Sequence, residues 1–438
     1  MSKGSTPVWG WALYDWANSA FATLVMAAFF PVVFKEYWNS GADVLTSTGR
    51  LATVNVAASI VMVVLAPLLG ALADQGSLRK RFLMWFTYLG VVSTAALFLV
   101  GEGNWQVAAA LYLLSLLGYS GGTVFYDSLL PVVADREQLD RVSGLGFGLG
   151  YLGGGILLAL TGWFAARPEV LGLADSNAVL RASFVVVAVW WASFSALTFL
   201  WVEEPGGGAT AGGVSGWLLQ SLRQLVATAR QLRNLRPALY FLLAYWFYID
   251  GIDTIIRMAV DYGLSLGFEA GDLMLALLLT QLLGFPAAII YSRLGARWGV
   301  RRALFLGMGV YVAITIWGSQ IQHRWEFFVL AVGIGCFQGG IQALSRSYFA
   351  RLIPEGRSAQ FFGFYNIMGR LATIAGPLIW HATARIAEAG LTAGAVEASS
   401  LEIQRSATRW GLASLIVLFV AGAWCLSRVP EEEDWTDS

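Results

Sequence analysis

The chain has 438 residues, of which 57% are hydrophobic and 13% are charged, whereas soluble domains average about 45–50% apolar and about 25% charged residues. This composition excludes an ordinary soluble domain and indicates an integral membrane protein. Lys plus Arg and Asp plus Glu are balanced at 28 each, so the charge gives no reason to expect a nucleic-acid partner.

Apolar runs long enough to cross a bilayer recur along the chain, because a spanning helix needs about 20 mostly apolar residues. The first six runs are 9–34, 50–73, 82–101, 105–133, 142–165 and 181–201. The next six are 237–262, 271–292, 303–320, 326–350, 361–383 and 409–427. The sequence therefore predicts an all-α membrane protein with twelve transmembrane helices in two six-helix bundles, residues 1–201 and 237–438. The first run lacks the pattern of a cleaved signal peptide, so we expect it to be retained.

Residues 202–236 are predicted to be a cytoplasmic linker between the two bundles. The segment begins with a Gly-rich stretch and continues with Leu218, Leu222, Leu225, Ala229 and Leu232 on one face of an amphipathic helix. When the N-terminus is placed in the cytoplasm, most Lys and Arg residues of the short loops also lie inside. This distribution predicts that both termini are cytoplasmic.

The first predicted helix, "WALYDWANSAFATLVMAAFFPVVF", carries a carboxylate. A charged residue at the centre of a spanning helix costs at least about 2.5–3.5 kcal/mol. Tyr14 and Asn18 are four residues apart and share a face, which we expect to be turned toward a central cavity. Asp15 should lie nearer the cytoplasmic side than the midplane, a depth that favours gating or locking of helices over substrate contact.

A basic turn follows the second run. "GALADQGSLRKR" resembles the cytoplasmic signature of the major facilitator superfamily. Asp74 can accept hydrogen bonds from a neighbouring helix N-terminus or from an arginine, while Arg79 and Lys80 can anchor the turn at anionic lipid. A similar turn, "YSRLGARWGVRR" with Arg297 and Arg301, follows the eighth run and indicates parallel repeats. The alternative is that these basic residues only set the topology.

Other polar residues interrupt the later runs. Asp127 and Arg346 lie toward the predicted cytoplasmic ends of helices four and ten, where a gating network would satisfy them. Arg370 is deeper; it could meet a substrate carboxylate, or it could be structural or face lipid. "GLGYLG", residues 148–153, matches a dinucleotide-binding pattern, but it lies in an apolar span, where glycines suit close helix packing.

Predicted helix seven has the densest charge, with Asp250, Asp253 and Arg257 in "YWFYIDGIDTIIRMAVDYG". Asp253 and Arg257 are four residues apart, so they can pair and reduce the cost of burying both charges. One reading is a cavity lining loosened by Gly251. The other is a self-neutralising pair that packs against another helix.

Four stretches carry a more specific resemblance: "YDWANSAFATLVMAAFFPVVFKEYW", "VSGLGFGLGYLGGG", "YFLLAYWFYIDG" and "QALSRSYFARLIPEGRSAQFFGFYNIMGR". They resemble the autophagy-related vacuolar amino-acid effluxer family and its bacterial relatives, the unidentified major facilitators. The resemblance implies a twelve-helix transporter with a cavity between two bundles and, for fungal members, amino-acid export from the vacuole. It covers Asp15, Asn18, Asp250 and Gly251, but does not extend to Asp253. It also favours a bacterial inner membrane.

Several kinds of chemistry have no support in the sequence. The lysines are Lys3, Lys35 and Lys80, so no phosphate-binding G-x-x-x-x-G-K-[ST] loop is present. The two histidines are far apart, and the two cysteines lie in apolar runs, so we predict no metal site, disulfide or cofactor. We also expect no obligate protein partner.

Together these features predict a secondary transporter that works by alternating access on amino acids or similar small zwitterions. A zwitterion needs a partner of each sign, which Asp250 or Asp253 and Arg257 or Arg370 would provide. Protons are the candidate coupling ion, because burial disfavours a charged carboxylate and Asp15, Asp250 or Asp253 could change protonation. The alternatives are an exporter of drugs or amphipathic metabolites, a membrane receptor and an intramembrane enzyme.

Overall fold

The computed structural model describes residues 4–204, 235–372, 374–394 and 400–430. The described part of the chain consists of helices and connecting loops, so the all-α prediction is confirmed for it. The predicted amphipathic helix of the linker lies outside the described residues.

Each helix is numbered here in chain order. The helices of the first half are α1 Ser5–Trp38, α2 Val44–Gly76, α3 Arg79–Ala96, α4 Trp105–Val133, α5 Leu139–Ala165 and α6 Ser176–Trp201. Those of the second half are α7 Arg236–Ser265, α8 Ala270–Trp298, α9 Val300–Gly318, α10 Arg324–Leu352, α11a Ser358–Leu371, α11b Ala375–Gly394 and α12, which runs from Ser400–Ser414 into Ile416–Ser427.

Eleven helices among the described residues are long and apolar enough to cross a membrane. The prediction of one continuous span at 361–383 is wrong, because helix eleven is interrupted between Leu371 and Ala375. The dipeptide Gly376–Pro377 follows the interruption. Proline has no N–H to donate to a preceding turn, so it suits the first turn of a helix better than the interior. The count of twelve spans and the cytoplasmic termini stay predictions.

The chain divides into two compact units. The first comprises Met1–Ala229 with Ile353–Asn366, and the second comprises Arg230–Leu352 with Ile367–Ser438. The short segment Ile353–Asn366, which contains the start of α11a, thus packs with the first unit. The predicted domain limits at residues 201 and 237 stay a prediction.

Local signals explain where several helices begin and end. The Asp43 side chain accepts a hydrogen bond from the Thr46 N–H at 2.9 Å and caps α2, and Asp175 accepts from the Ala178 N–H at 2.7 Å and caps α6. Each carboxylate satisfies one of the backbone donors left free at a helix N-terminus. Ser77 ends α2 in a left-handed conformation, with φ of 50°, so α3 can begin two residues later.

Helix α1 departs from regular α geometry in the middle of its apolar run. The stretches Phe21–Phe29 and Phe34–Trp38 are π-helical, whereas π geometry is rare and appears mostly as single turns inside α-helices. No local sequence pattern predicted this geometry. Large rings fill the space around the widened helix, and Phe30 stacks on Tyr112 of α4 with centroids 3.7 Å apart.

Glycines of α5 allow this helix to lie directly against α1. A Cβ on Gly150 would lie 2.5 Å from Ser19 Oγ, and a Cβ on Gly153 would lie 2.7 Å from the Trp16 carbonyl oxygen. The prediction that the glycines of "GLGYLG" serve close helix packing is therefore confirmed.

Candidate functional site

Asp15 lies in an aromatic cluster formed by α1 and α4 in the first unit. The Tyr126 hydroxyl donates to Asp15 Oδ2 at 2.9 Å, and Trp11 Nε1 donates to the Tyr126 carbonyl oxygen at 2.9 Å. The Tyr126 ring also stacks on Trp11 and Tyr14, at centroid distances of 4.4 and 4.9 Å. Asp15 is therefore held by a neighbouring helix in the interior of the unit, at 9% exposure.

The other two polar residues of this motif are also buried. The hydroxyls of Tyr14 and Thr87 lie 2.8 Å apart and share a hydrogen bond that links α1 to α3. Asn18 is 2% exposed. Tyr14 therefore links two helices, the role that we expected for Asp15. The position of Asn18 at a central cavity stays a prediction.

Asp74 joins the turn after α2 to the first residues of α11a. Its carboxylate accepts hydrogen bonds from the Ala359 and Gln360 N–H groups at 3.1 and 2.9 Å and forms an ion pair with Arg79 at 2.7 Å. Arg79 also donates to the Gly356 carbonyl oxygen at 3.2 Å. Both partners predicted for Asp74, a helix N-terminus and an arginine, are therefore present.

Backbone packing brings these groups close. A Cβ on Gly70 would lie 2.5 Å from the Ala359 carbonyl oxygen, and one on Gly363 would lie 3.0 Å from the Pro67 Cα. Two glycines, one on each helix, thus let α2 and α11a approach within backbone contact.

Glu204 is a second carboxylate at the same turn, and the sequence did not single it out. Its oxygens accept from the backbone N–H groups of Arg79 and Lys80, at 3.2 and 3.0 Å. A carboxylate at this position complements the positive end of the α3 dipole. Lys80 therefore contributes through its backbone as well as through its predicted lipid-anchoring side chain.

Asp127 of α4 is bonded to the same short segment. Its Oδ2 accepts from Asn366 Nδ2 at 3.1 Å, and the neighbouring Ser128 carbonyl oxygen accepts from the Ser358 hydroxyl at 2.8 Å. Asp127 is 4% exposed. The structure thus groups Asp74 and Asp127 around α11a, in keeping with the predicted network at the ends of these helices.

Asp250 of α7 faces the interruption of helix eleven, within the second unit. Its Oδ1 accepts from the Gly376 N–H at 3.0 Å and from Thr254 Oγ1 at 3.3 Å. The residue is 1% exposed, and Oδ2 is buried without a hydrogen-bond partner among the described residues. Asp250 thus caps α11b from another helix.

Arg257 acts on Asp253 electrostatically across one helical turn. No hydrogen bond or close ion pair joins these two described side chains; Asp253 is half-buried and Arg257 is exposed. The role of the pair in a cavity stays a prediction. Arg370, at the last turn of α11a, is half-buried, and its predicted role in binding a carboxylate stays a prediction.

The remaining predicted residues lie elsewhere in the second unit. Arg346 is buried in α10 at 2% exposure, whereas Arg297 is exposed at the end of α8. Arg301 donates from Nη2 to the Ser427 carbonyl oxygen at 2.9 Å and so ties α9 to the end of α12. The gating roles predicted for Arg297 and Arg346 stay predictions.

Sequence reasoning missed Tyr126, Thr254, Asn366 and Gly376. Only Gly376 had a recognisable signal, because a Gly-Pro dipeptide inside an apolar run marks a break. The other three are polar residues within apolar runs, and their roles depend on which helices become neighbours.

Comparison with known proteins places this arrangement in a family. A family model described as "Vacuole effluxer Atg22 like" matches residues 4–139 and 134–385. The uncharacterized MFS-type transporter YxiO of Bacillus subtilis is 35% identical over 432 residues, which cover 96% of this chain and 94% of the relative. Autophagy-related protein 22-1 of Penicillium rubens is 21% identical over 502 residues, covering 84% and 83% of the two chains.

Solved structures show the same fold. The human organic anion transporter MFSD10 (TETRAN) superposes with a TM-score of 0.67 at 15% identity, covering 96% of this chain and 98% of that one. The Major Facilitator Superfamily transporter FucP, in the outward conformation, gives a TM-score of 0.67 at 12% identity over the same shares. The prediction of a multi-pass protein of the bacterial inner membrane is also confirmed. The chain belongs to the Atg22-like family of MFS-type membrane transporters.

Proposed function

We propose that the protein transports amino acids or similar small zwitterions by alternating access, with protons as the coupling ion. The observation that carries this proposal is the buried Asp250 at the break of helix eleven. In secondary transporters, substrate and coupling-ion sites are typically formed by discontinuous helices, whose freed backbone groups bind charged ligands.

Both signs of charge needed for a zwitterion occur on α7 and α11a. Asp250 and Asp253 supply carboxylates for an ammonium group, and Arg370, four residues before Ile374, supplies a cation for a carboxylate. The matching family model is named for vacuole effluxers, which supports transport across a membrane.

The contacts around α11a have a separate role in this proposal. Asp74 and Asp127, near the ends of α2 and α4, accept hydrogen bonds from donors of α11a, and the topology prediction puts them on the cytoplasmic side. We assign them to gating, because their bonds must break and reform when the segment Ile353–Asn366 moves.

The test is counterflow in proteoliposomes that contain the purified full-length protein and a pool of labelled amino acids. We expect exchange of at least one amino acid and loss of transport in Asp15→Asn if this residue couples or gates. Retained transport in that variant would make Asp15 structural. If the wild-type protein exchanges no amino acid, the substrate proposal is wrong.

Competition by leucine analogues sharpens the test of the substrate class. A charge-assisted hydrogen bond contributes about 1.5–3 kcal/mol, so removal of either charged group should weaken competition by about tenfold or more. Leucine methyl ester, which lacks the carboxylate, and the corresponding deaminated acid should therefore compete much more weakly than leucine. Equal competition by all three would exclude a zwitterion site.

The second candidate is export of amphipathic compounds. Trp246 and Phe247 form an aromatic pair on α7, with centroids 5.0 Å apart, and Trp246 Nε1 has no hydrogen-bond partner. Tyr248 is less suited to such a role, because it is fully buried and bonded to Ser345 at 2.6 Å. Transport of a lipophilic cation that leucine does not inhibit would favour this candidate.

A further inference from the structure

The two oxygens of the Asp250 carboxylate have opposite surroundings. Oδ1 accepts hydrogen bonds from the Gly376 N–H and from Thr254 Oγ1. Oδ2 is buried and accepts none. The carboxylate therefore holds the first turn of α11b with one oxygen and keeps the other available.

The surroundings of Oδ1 favour the charged form of Asp250, and those of Oδ2 favour its neutral form. The free N–H groups at the start of α11b carry partial positive charge and stabilise a carboxylate. A buried anionic oxygen without a donor is costly, and a proton on that oxygen removes the charge. A proton on Oδ2 leaves Oδ1 able to accept from Gly376, although a neutral acceptor binds an N–H less strongly than an anion does.

Few other charged side chains among the described residues act electrostatically on this carboxylate. Asp253, half-buried one turn farther along α7, is the charged group that acts on Asp250 through its field. Among the neighbouring helices, α11b has its charged side chains at exposed positions, and the Ile416–Ser427 part of α12 has no acidic or basic residue. The Ser400–Ser414 part of α12 carries Glu402, Arg405 and Arg409. Arg346 of α10 is buried, and Asp272 of α8 is paired with Arg324.

Gly376 makes this arrangement possible. A Cβ at this position would overlap Thr254 Oγ1 and would lie 2.6 Å from Asp250 Oδ1. Only glycine lets the backbone of α11b approach the carboxylate so closely. The contact is therefore built from Asp250, Thr254 and Gly376 together.

We propose that Asp250 is the residue that binds and releases the coupling proton, at Oδ2, and that proton binding loosens the hold of Oδ1 on α11b. The proton enters from water on one side and leaves to water on the other, and no further bond changes. The transport role rests on the proposed function, whereas proton binding at Asp250 does not.

Infrared spectroscopy tests proton binding without a substrate. The purified protein in lipid vesicles is titrated with acid, and the carbonyl stretch of protonated carboxyl groups is followed. We expect Asp250→Asn to remove one titrating band, because its amide oxygen can still accept from Gly376 but cannot titrate. The control Asp253→Asn should keep that band, and Thr254→Val should shift its titration midpoint. An unchanged spectrum in Asp250→Asn would overturn the proposal.

Transport measurements with labelled leucine give the second readout. In Asp250→Asn, we expect the ratio of uptake with an imposed proton gradient to uptake without one to fall to about onefold, whatever the level of uptake without the gradient. Gradient-driven uptake equal to wild type would contradict the proposal. If leucine does not move in the wild type but the infrared band is lost in Asp250→Asn, the substrate proposal fails and the proton site stands.

Discussion

Asp15 and Asp250 are buried carboxylates in the first helix of each half, and they are bonded in different ways. Asp15 accepts from a side chain, the Tyr126 hydroxyl of α4. Asp250 accepts from the backbone of Gly376, which is free to donate only because helix eleven is interrupted. A side-chain donor joins two intact helices, whereas a backbone donor requires a helix end. The comparison indicates that a buried carboxylate bonded to a side chain makes a fixed contact, whereas one bonded to the free backbone of a helix end makes a contact that can move.

The largest effect is expected for Gly376→Ala. The added methyl group overlaps Thr254 Oγ1 and crowds Asp250, and overpacking typically costs about 1–3 kcal/mol and sometimes more. We expect about 3 kcal/mol of destabilisation, read as a lower apparent melting temperature of the detergent-solubilised protein. Gly390→Ala is the matched control, because a Cβ there on the same helix meets nothing within 4 Å. Equal melting temperatures would show that the α11b contact carries little stability.

A smaller loss is expected for Gly146→Ala in the Asp15 cluster. The new Cβ would lie 2.8 Å from the Tyr126 hydroxyl and 2.9 Å from Asp15 Oδ2. These atoms are the ends of side chains and can shift, so we expect about 1–2 kcal/mol. Gly162→Ala on the same helix, where a Cβ meets nothing within 4 Å, is the control. A loss of stability larger than that of Gly376→Ala would show that the Asp15 cluster tolerates an added methyl group less well than the Asp250 contact does.

Tyr126→Phe removes the donor to Asp15 while keeping the ring that stacks on Trp11 and Tyr14. A typical net hydrogen bond contributes about 0.5–1.5 kcal/mol, so we expect a loss of about 1 kcal/mol. A double-mutant cycle of melting temperatures with Asp15→Asn isolates the pair. Strictly additive effects would mean that the hydroxyl and the carboxylate are not energetically coupled.

Glu204→Gln should have the smallest effect. Glu204 bonds the first N–H groups of α3 from a half-exposed position, where a favourable dipole interaction contributes about 0.3–1 kcal/mol and is screened by salt. We expect a small drop in melting temperature at low ionic strength that disappears at high ionic strength. A drop that persists in high salt would show that Glu204 acts as a buried group, as Asp250 does.

The sequence predicted the features that depend on local composition. Apolar runs located the spans, and the Gly-Asp-basic pattern identified Asp74 and Arg79 with the correct kinds of partner. Asp250 was singled out because a carboxylate in a spanning helix is expensive. These inferences need only the chemistry of one segment and its surrounding lipid.

The partners of these residues could not be predicted in the same way. Tyr126 lies 111 residues from Asp15, and Gly376 lies 126 residues from Asp250. Such pairs depend on which helices pack together, which composition does not specify. The i, i+4 spacing correctly predicted that Arg257 acts on Asp253, but it could not predict whether the two side chains touch, because a long arginine side chain can extend away from its helical neighbour.

The membership of Ile353–Asn366 in the first unit has a consequence for synthesis. The ribosome makes this segment about 150 residues after Glu204, and synthesis proceeds at roughly 5–20 residues per second. The first unit is therefore incomplete for roughly 7–30 s after its six long helices have been made. During that interval Asp74 lacks the Ala359 and Gln360 donors, and Asp127 lacks Asn366. Assembly of the first unit finishes only after most of the second has been translated.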